Sequence, residues 1–152
     1  MMKRILLVMG IFAVLSCSKT YQSSIPERMV YLELDLRFQD KALKAVQAYK
    51  IYDQSNIDQA GEMTGFGGVL VYHGLSSDGS DAYYAFDAAC PYEANSKTRV
   101  EVDADGLYAV CPACQSRFEL INGFGNPVSG PAEYNLKPYQ VSVEGDKIYI
   151  RN

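Results

Sequence analysis

The chain has 152 residues, 48% of them hydrophobic and 21% charged, and a net charge of −4. That length has room for one domain with a core of its own. An acidic balance without a basic stripe interleaved with aromatics argues against a nucleic-acid partner.

Met1 to Arg4 form a short positive segment and Ile5 to Leu15 an apolar run, too short for the ~20 residues of a membrane span. Val14-Leu15-Ser16-Cys17 then resembles a bacterial lipoprotein cleavage site. The resemblance implies that residues 1–16 are a signal peptide and that Cys17 is acylated and becomes the N-terminus. Several acyl chains give stable attachment where one is marginal. The rival reading, an ordinary secretory signal, leaves Cys17 as a spare thiol. Residues 17–24 are then a polar tether, and residues 25–152 the domain. No acidic run follows Cys17, which favours an envelope protein on the outer membrane facing the periplasm. Cleavage removes Lys3 and Arg4 from the 14 basic residues and none of the 18 acids, so the net charge moves from −4 to −6. Outside the cytosol disulfides persist.

Residues 29–36, MVYLELDL, place Val30, Leu32, Leu34 and Leu36 on one face and Tyr31, Glu33 and Asp35 on the other, as a half-buried strand does. From Phe38 to Asp53 the spacing of Leu43, Val46 and Tyr49 predicts one short amphipathic helix, with a strand-loop course as the alternative. Residues 54–68 read as a polar loop. GVLVY at 68–72 and AYYAF at 82–86 read as strands joined by a turn that begins at His73, the single histidine, expected there as a solvated loop residue. The acidic pairs Asp35 and Asp40, Asp78 and Asp81, and Asp103 and Asp105 suit turns and solvated faces, with no acid/base role.

The centre of the chain carries two cysteine loops, Cys90-Pro91-Tyr92 and Cys111-Pro112-Ala113-Cys114. Asp103 to Gly106 between them is a turn signal flanked by β-patterned arms, so the chain returns and brings Cys90 near Cys111 and Cys114. The arm at 106–110, GLYAV, delivers Cys111, and SRFELI at 116–121 leaves it. The NGFGN turn and the PVSGP loop follow. Residues 139–144 and 147–150 flank Gly145-Asp146 as a hairpin. Many short strands at this spacing predict an all-β domain.

These residues resemble the Rieske iron-sulfur family, whose pattern is C-x-H, a spacer of about 15 to 17 residues, and C-x-x-H, with two cysteines on one iron and two histidines on the other. Cys90 and Cys111 match the cysteine ligands; Tyr92 and Cys114 fall where the histidines belong, and the spacer is one residue longer than usual. GVLVYHG before the first loop, and SRFEL with GPAEYNLKPYQV after the second, extend the resemblance. It implies a Rieske-like fold of small antiparallel sheets with a cluster-loop subdomain. It also implies that Gly130 and Pro131 form a covering loop over the site, and descent from electron-transfer ferredoxin subunits that serve a redox partner and perform no substrate chemistry alone.

With one histidine in the chain, a two-histidine, two-cysteine cluster cannot form within it. Three chemistries stay open at Cys90, Cys111 and Cys114. A non-standard [2Fe-2S] cluster would recruit Tyr92 as phenolate against its usual pKa of about 10. Zinc would take the three thiolates plus water, Asp87 or Glu93. A metal-free site would hold free thiols or a disulfide. On the Rieske resemblance Cys90 to Cys111 is the expected pair, with Cys111 to Cys114 as its rival, in a binding or structural module.

Overall fold

The computed structural model describes residues 23–152; the expected signal peptide, Cys17 and most of the expected tether lie outside them. The described residues form eleven strands, all paired antiparallel, and no α-helix. The strands are β1 (Val30–Asp35), β2 (Tyr49–Tyr52), β3 (Met63–Thr64), β4 (Val69–Leu75), β5 (Asp81–Asp87), β6 (Glu101–Val102), β7 (Tyr108–Val110), β8 (Arg117–Glu119), β9 (Pro127–Ser129), β10 (Pro138–Glu144) and β11 (Lys147–Arg151). One sheet of seven has the order β2-β4-β5-β10-β11-β1-β3, and a second of four has the order β6-β7-β8-β9.

The alternation in β1 is realised as read: Val30, Leu32, Leu34 and Leu36 are buried while Tyr31 is exposed. They meet Val69 and Val71 of β4, Ala85 of β5 and Ile148 and Ile150 of β11 in a first core. The unbroken apolar run of β4 has a different cause. Its even positions, Leu70 and Tyr72, point the other way and pack with Phe86, Val100, Ala109, Phe118, Leu120 and Leu136 in a second core beneath the small sheet. A strand covered on both faces needs no polar alternation. Burying each large side chain contributes about 1.5–3 kcal/mol, so the second core holds the small sheet firmly against the large one. Cys90 and Cys111 belong to it.

Several expectations are corrected. No helix spans Phe38 to Asp53; a single 3-10 turn, Lys41–Lys44, buries Leu43 and gives way to β2. Val46 and Tyr49 are each 45% exposed, and Gln47 takes a positive φ of 68° that ends any helical course. The three-residue spacing therefore never makes a face. Asp40, read as a turn acid, is buried and accepts hydrogen bonds from Tyr52 Oη at 2.5 Å and Lys50 Nζ at 2.8 Å.

His73 is likewise no loop residue. It lies within β4 and is only 2% exposed; its Nδ1 is 2.9 Å from the Leu43 carbonyl and its ring stacks on Tyr83 at 4.3 Å. The turn begins after Leu75 instead. Two short strands also emerge from stretches read as loops, β3 pairing with β1 and β9 with β8.

Candidate functional site

Asp87 ends β5 and fixes the direction in which the chain leaves it. Its buried carboxylate accepts from the backbone N–H groups of Phe66, Gly67 and Ala89 and from Tyr139 Oη at 2.6 Å. An anion so fully hydrogen-bonded has no lone pair to spare for a metal, so Asp87 is removed from the candidate ligands. Val100 N–H donating to the Ala88 carbonyl and the Ala89–Arg99 bridge close the base of the first loop.

The two cysteine loops follow the same backbone course. Cys90 N–H donates across its loop to Thr98 O (3.0 Å), and its carbonyl accepts from Ala94 N–H (2.9 Å). Cys111 N–H donates to Ser116 O (2.9 Å), and its carbonyl accepts from Gln115 N–H (3.0 Å). Proline follows each cysteine, and the residue four positions on has positive φ in both loops, 47° at Ala94 and 61° at Gln115. Residues three positions after each cysteine are thus equivalent. They are Glu93 and Cys114.

The loops bring Cys90, Cys111 and Cys114 together with all three sulfurs within 4.8 Å of one another, and Cys90 Sγ lies 3.6 Å from Cys114 Sγ. The three are free thiols, and no pair among them stands at the ~2.05 Å of a disulfide. Cys90 and Cys111 are fully buried; Cys114 is partly open. Burial pushes the Cys90 thiol up to about 12, with the neighbouring thiols of Cys111 and Cys114 adding to it against the N–H groups of Glu93 and Tyr92. For Cys114 burial also opposes ionisation, but hydrogen bonds from the Ser116 hydroxyl and backbone and from the other two thiols prevail and lower its pKa. Cys114 therefore ionises before Cys90.

Ser116 is the site residue that sequence reading missed. Fully buried, it sits with Oγ 3.1 Å from Cys114 Sγ and accepts the Ala132 backbone N–H at 3.0 Å. The signal available was a small hydroxyl residue two positions after the second cysteine of C-x-x-C. Gly130 covers this corner with φ 89°, and a Cβ there would collide with the Ser116 backbone and hydroxyl. Pro131 lies beside it in an open groove with Ser24, Pro91, Tyr92, Glu133 and Tyr134. Tyr92 is 56% exposed on this outer rim.

No family model matches the chain and no curated protein matches it. Solved structures do. A cyanobacterial plasma membrane Rieske protein from Synechocystis PCC 6803 is 26% identical over 57% of this chain and 78% of that one, with a TM-score of 0.45. The ferredoxin of carbazole 1,9a-dioxygenase from Nocardioides aromaticivorans IC177 is 19% identical over 82% of this chain and 95% of that one, with a TM-score of 0.47. A complex of reduced oxygenase and oxidised ferredoxin in carbazole 1,9a-dioxygenase gives 17% identity over 82% and 94%, with a TM-score of 0.49. In this chain, two antiparallel sheets present paired cysteine loops at one end. The fold is Rieske-like.

The donor set does not fit the cluster that this fold family implies. His73 is held by Leu43 and Tyr83, and in the β4–β5 pairing it lies opposite Tyr83, whereas Val69 lies opposite Asp87. Four residues of strand are ~13 Å, which puts the only imidazole well away from the thiols. What the Rieske-like scaffold does present is a compact set of three sulfurs that could hold a metal.

Proposed function

We propose that the protein is an envelope lipoprotein, anchored through acylated Cys17 to the outer membrane on its periplasmic side, whose Rieske-like domain has replaced the two-histidine, two-cysteine cluster by a thiolate centre for one soft divalent ion. The observation that carries this reading is the single triangle of sulfurs, every pair within 4.8 Å and one at 3.6 Å. A tetrahedral ion with metal–sulfur bonds of about 2.3 Å separates its sulfur ligands by ~3.8 Å. Cys90, Cys111 and Cys114 match that spacing with little movement.

The fourth position goes to water or to Glu93, the counterpart of Cys114 in the first loop. The Glu93 carboxylate must swing inward to bind, since it lies outside the present triangle. Zinc there would pin the two loops and make the domain a structural or binding module. Ferrous iron would make it a one-electron carrier for a redox protein partner, the role its likeness to ferredoxins suggests. In neither form does the chain carry substrate chemistry of its own.

A second reading is a dithiol that oxidises in the envelope, favoured by the 3.6 Å approach of Cys90 and Cys114. Forming that bond releases two protons and passes two electrons to a disulfide oxidant. The loop closed is of about 25 residues, and the chain-entropy model gives ~3.5 kcal/mol of stabilisation.

Anaerobic purification of the mature protein, with assays for zinc, iron and acid-labile sulfide and an intact mass, tests both. One metal per chain without labile sulfide supports the thiolate centre. Metal-free protein lighter by two protons supports the disulfide. Two irons and two sulfides per chain would overturn both.

A further inference from the structure

Where the chain enters the domain restricts how the domain can sit on a membrane. Ser24 Oγ donates to the carbonyl of Pro91, the residue after Cys90. Ile25 is buried, and Lys137 Nζ both donates to the Pro26 carbonyl at 3.2 Å and pairs with Glu27 at 3.0 Å. The strap from 24 to 27 is thus fixed beside the cysteine loops.

From this we infer that the three-cysteine end of the domain rests against the bilayer interface, an inference that depends on the acylation of Cys17 proposed above. Seven residues of fully extended chain, from Cys17 to Ser24, reach at most ~24 Å. A body of this size is about 35 Å across by the scaling of radius with chain length. Strand β10 starts near the cysteine end, where Pro138 pairs with Phe86, and runs away from it to Glu144. The Gly145–Asp146 turn therefore lies ~20 Å beyond Pro138, while Ser24 sits on the loop of Cys90, four residues past Phe86 in the opposite direction, so the two are separated by most of the width of the body. If that far end faced the lipid, Ser24 would stand beyond the reach of the tether.

The rim of the cysteine end has matching chemistry. Tyr92 and Tyr134 are 56% and 37% exposed and, with Pro91 and Pro131, border an open groove of about 350 Å³. Tyrosine, with an apolar ring and a polar tip, is enriched at membrane–water interfaces. Glu133 on the same rim holds it at headgroup depth and disfavours an anionic surface, so the occupant is a zwitterionic interface. Whatever supplies electrons or metal to the thiols then meets them at the membrane.

The sequence contains no tryptophan, so single reporters can be placed without background. The full lipidated chain carrying Tyr92→Trp, Tyr134→Trp or, at the far end, Val143→Trp is reconstituted in phosphatidylcholine vesicles with brominated acyl chains. Fluorescence of the two rim reporters should be quenched several-fold more than that of the Val143→Trp reporter, which replaces a side chain 49% exposed. Equal quenching, or stronger quenching at position 143, in protein that floats with the vesicles overturns the orientation while leaving the anchor standing. Protein that fails to float removes the anchor, and the orientation with it.

Discussion

Cys114 Sγ and Ser116 Oγ, 3.1 Å apart and held two positions from one another by the tight turn at Gln115, form the hydrogen bond that most favours ionisation of Cys114 against the burial that opposes it. The Ala132 N–H fills one acceptor site of the hydroxyl. While Cys114 is a thiol, its S–H points to Oγ; once it is a thiolate, the bond reverses and the hydroxyl donates.

Ser116→Ala removes this donor and strands the buried Ala132 N–H. The pH midpoint for alkylation of Cys114 by iodoacetamide should move upward, and the domain should lose about 1–3 kcal/mol in urea unfolding, the cost of an unsatisfied buried amide. An unchanged midpoint would show that the other neighbours of Cys114 suffice.

The same ordering governs the wild-type protein without metal. Peptide mapping after limited alkylation near neutral pH should find label on Cys114 before Cys90, since Cys114 is partly open and its pKa is lowered while that of buried Cys90 is raised.

Cys90 gives the metal-free domain an alkaline limit. Its folded pKa is raised to about 12 from an ordinary value of 9.0, so its stabilising contribution is complete below 9 and is lost as pH rises from there toward 12. Tyr52 and Tyr139, raised chiefly by burial and further by hydrogen bonds to Asp40 and Asp87, act in the same direction at higher pH. The urea midpoint should therefore fall between pH 8.5 and pH 10.5, and Cys90→Ala should flatten the first part of that fall.

Asp87→Asn should destabilise the domain by about 2–3 kcal/mol, because one carboxylate receives three backbone donors and a phenol. Under conditions where the variant is folded, its zinc affinity should equal the wild type's. A large loss of affinity in folded protein would return Asp87 to the ligand set.

Gly130→Ala places a Cβ against Ser116 at a φ of 89°, and strain of this kind costs about 1–3 kcal/mol. Differential scanning calorimetry should show a lower Tm, and Cys114 should alkylate faster as the covering loop lifts.

Much of the site was legible because it is local. The turn at Asp103 to Gly106, the prolines after Cys90 and Cys111, and the alternation of β1 each act within a few residues, and the structure keeps them all. The Gly145–Asp146 hairpin closes as read, with Glu144 opposite Lys147. What stayed hidden depends on distant partners. Nothing near His73 announces that the Leu43 carbonyl and the Tyr83 ring will enclose it, so a polar residue before a turn read as solvated. Leu43, Val46 and Tyr49 share a helical spacing, but only Leu43 finds a core. Ser24 reads as free chain in the sequence because its acceptor, the Pro91 carbonyl, lies 67 positions away.

X-ray absorption at the metal edge of protein as purified tests the central claim most directly, because it measures the ligand shell of the ion that the three thiols are proposed to hold. A single ion bound by Cys90, Cys111 and Cys114 should show three sulfurs at about 2.3 Å, one lighter ligand at about 2.0–2.2 Å and no metal–metal distance. A short metal–metal vector, or a shell with fewer than three sulfurs, would contradict it.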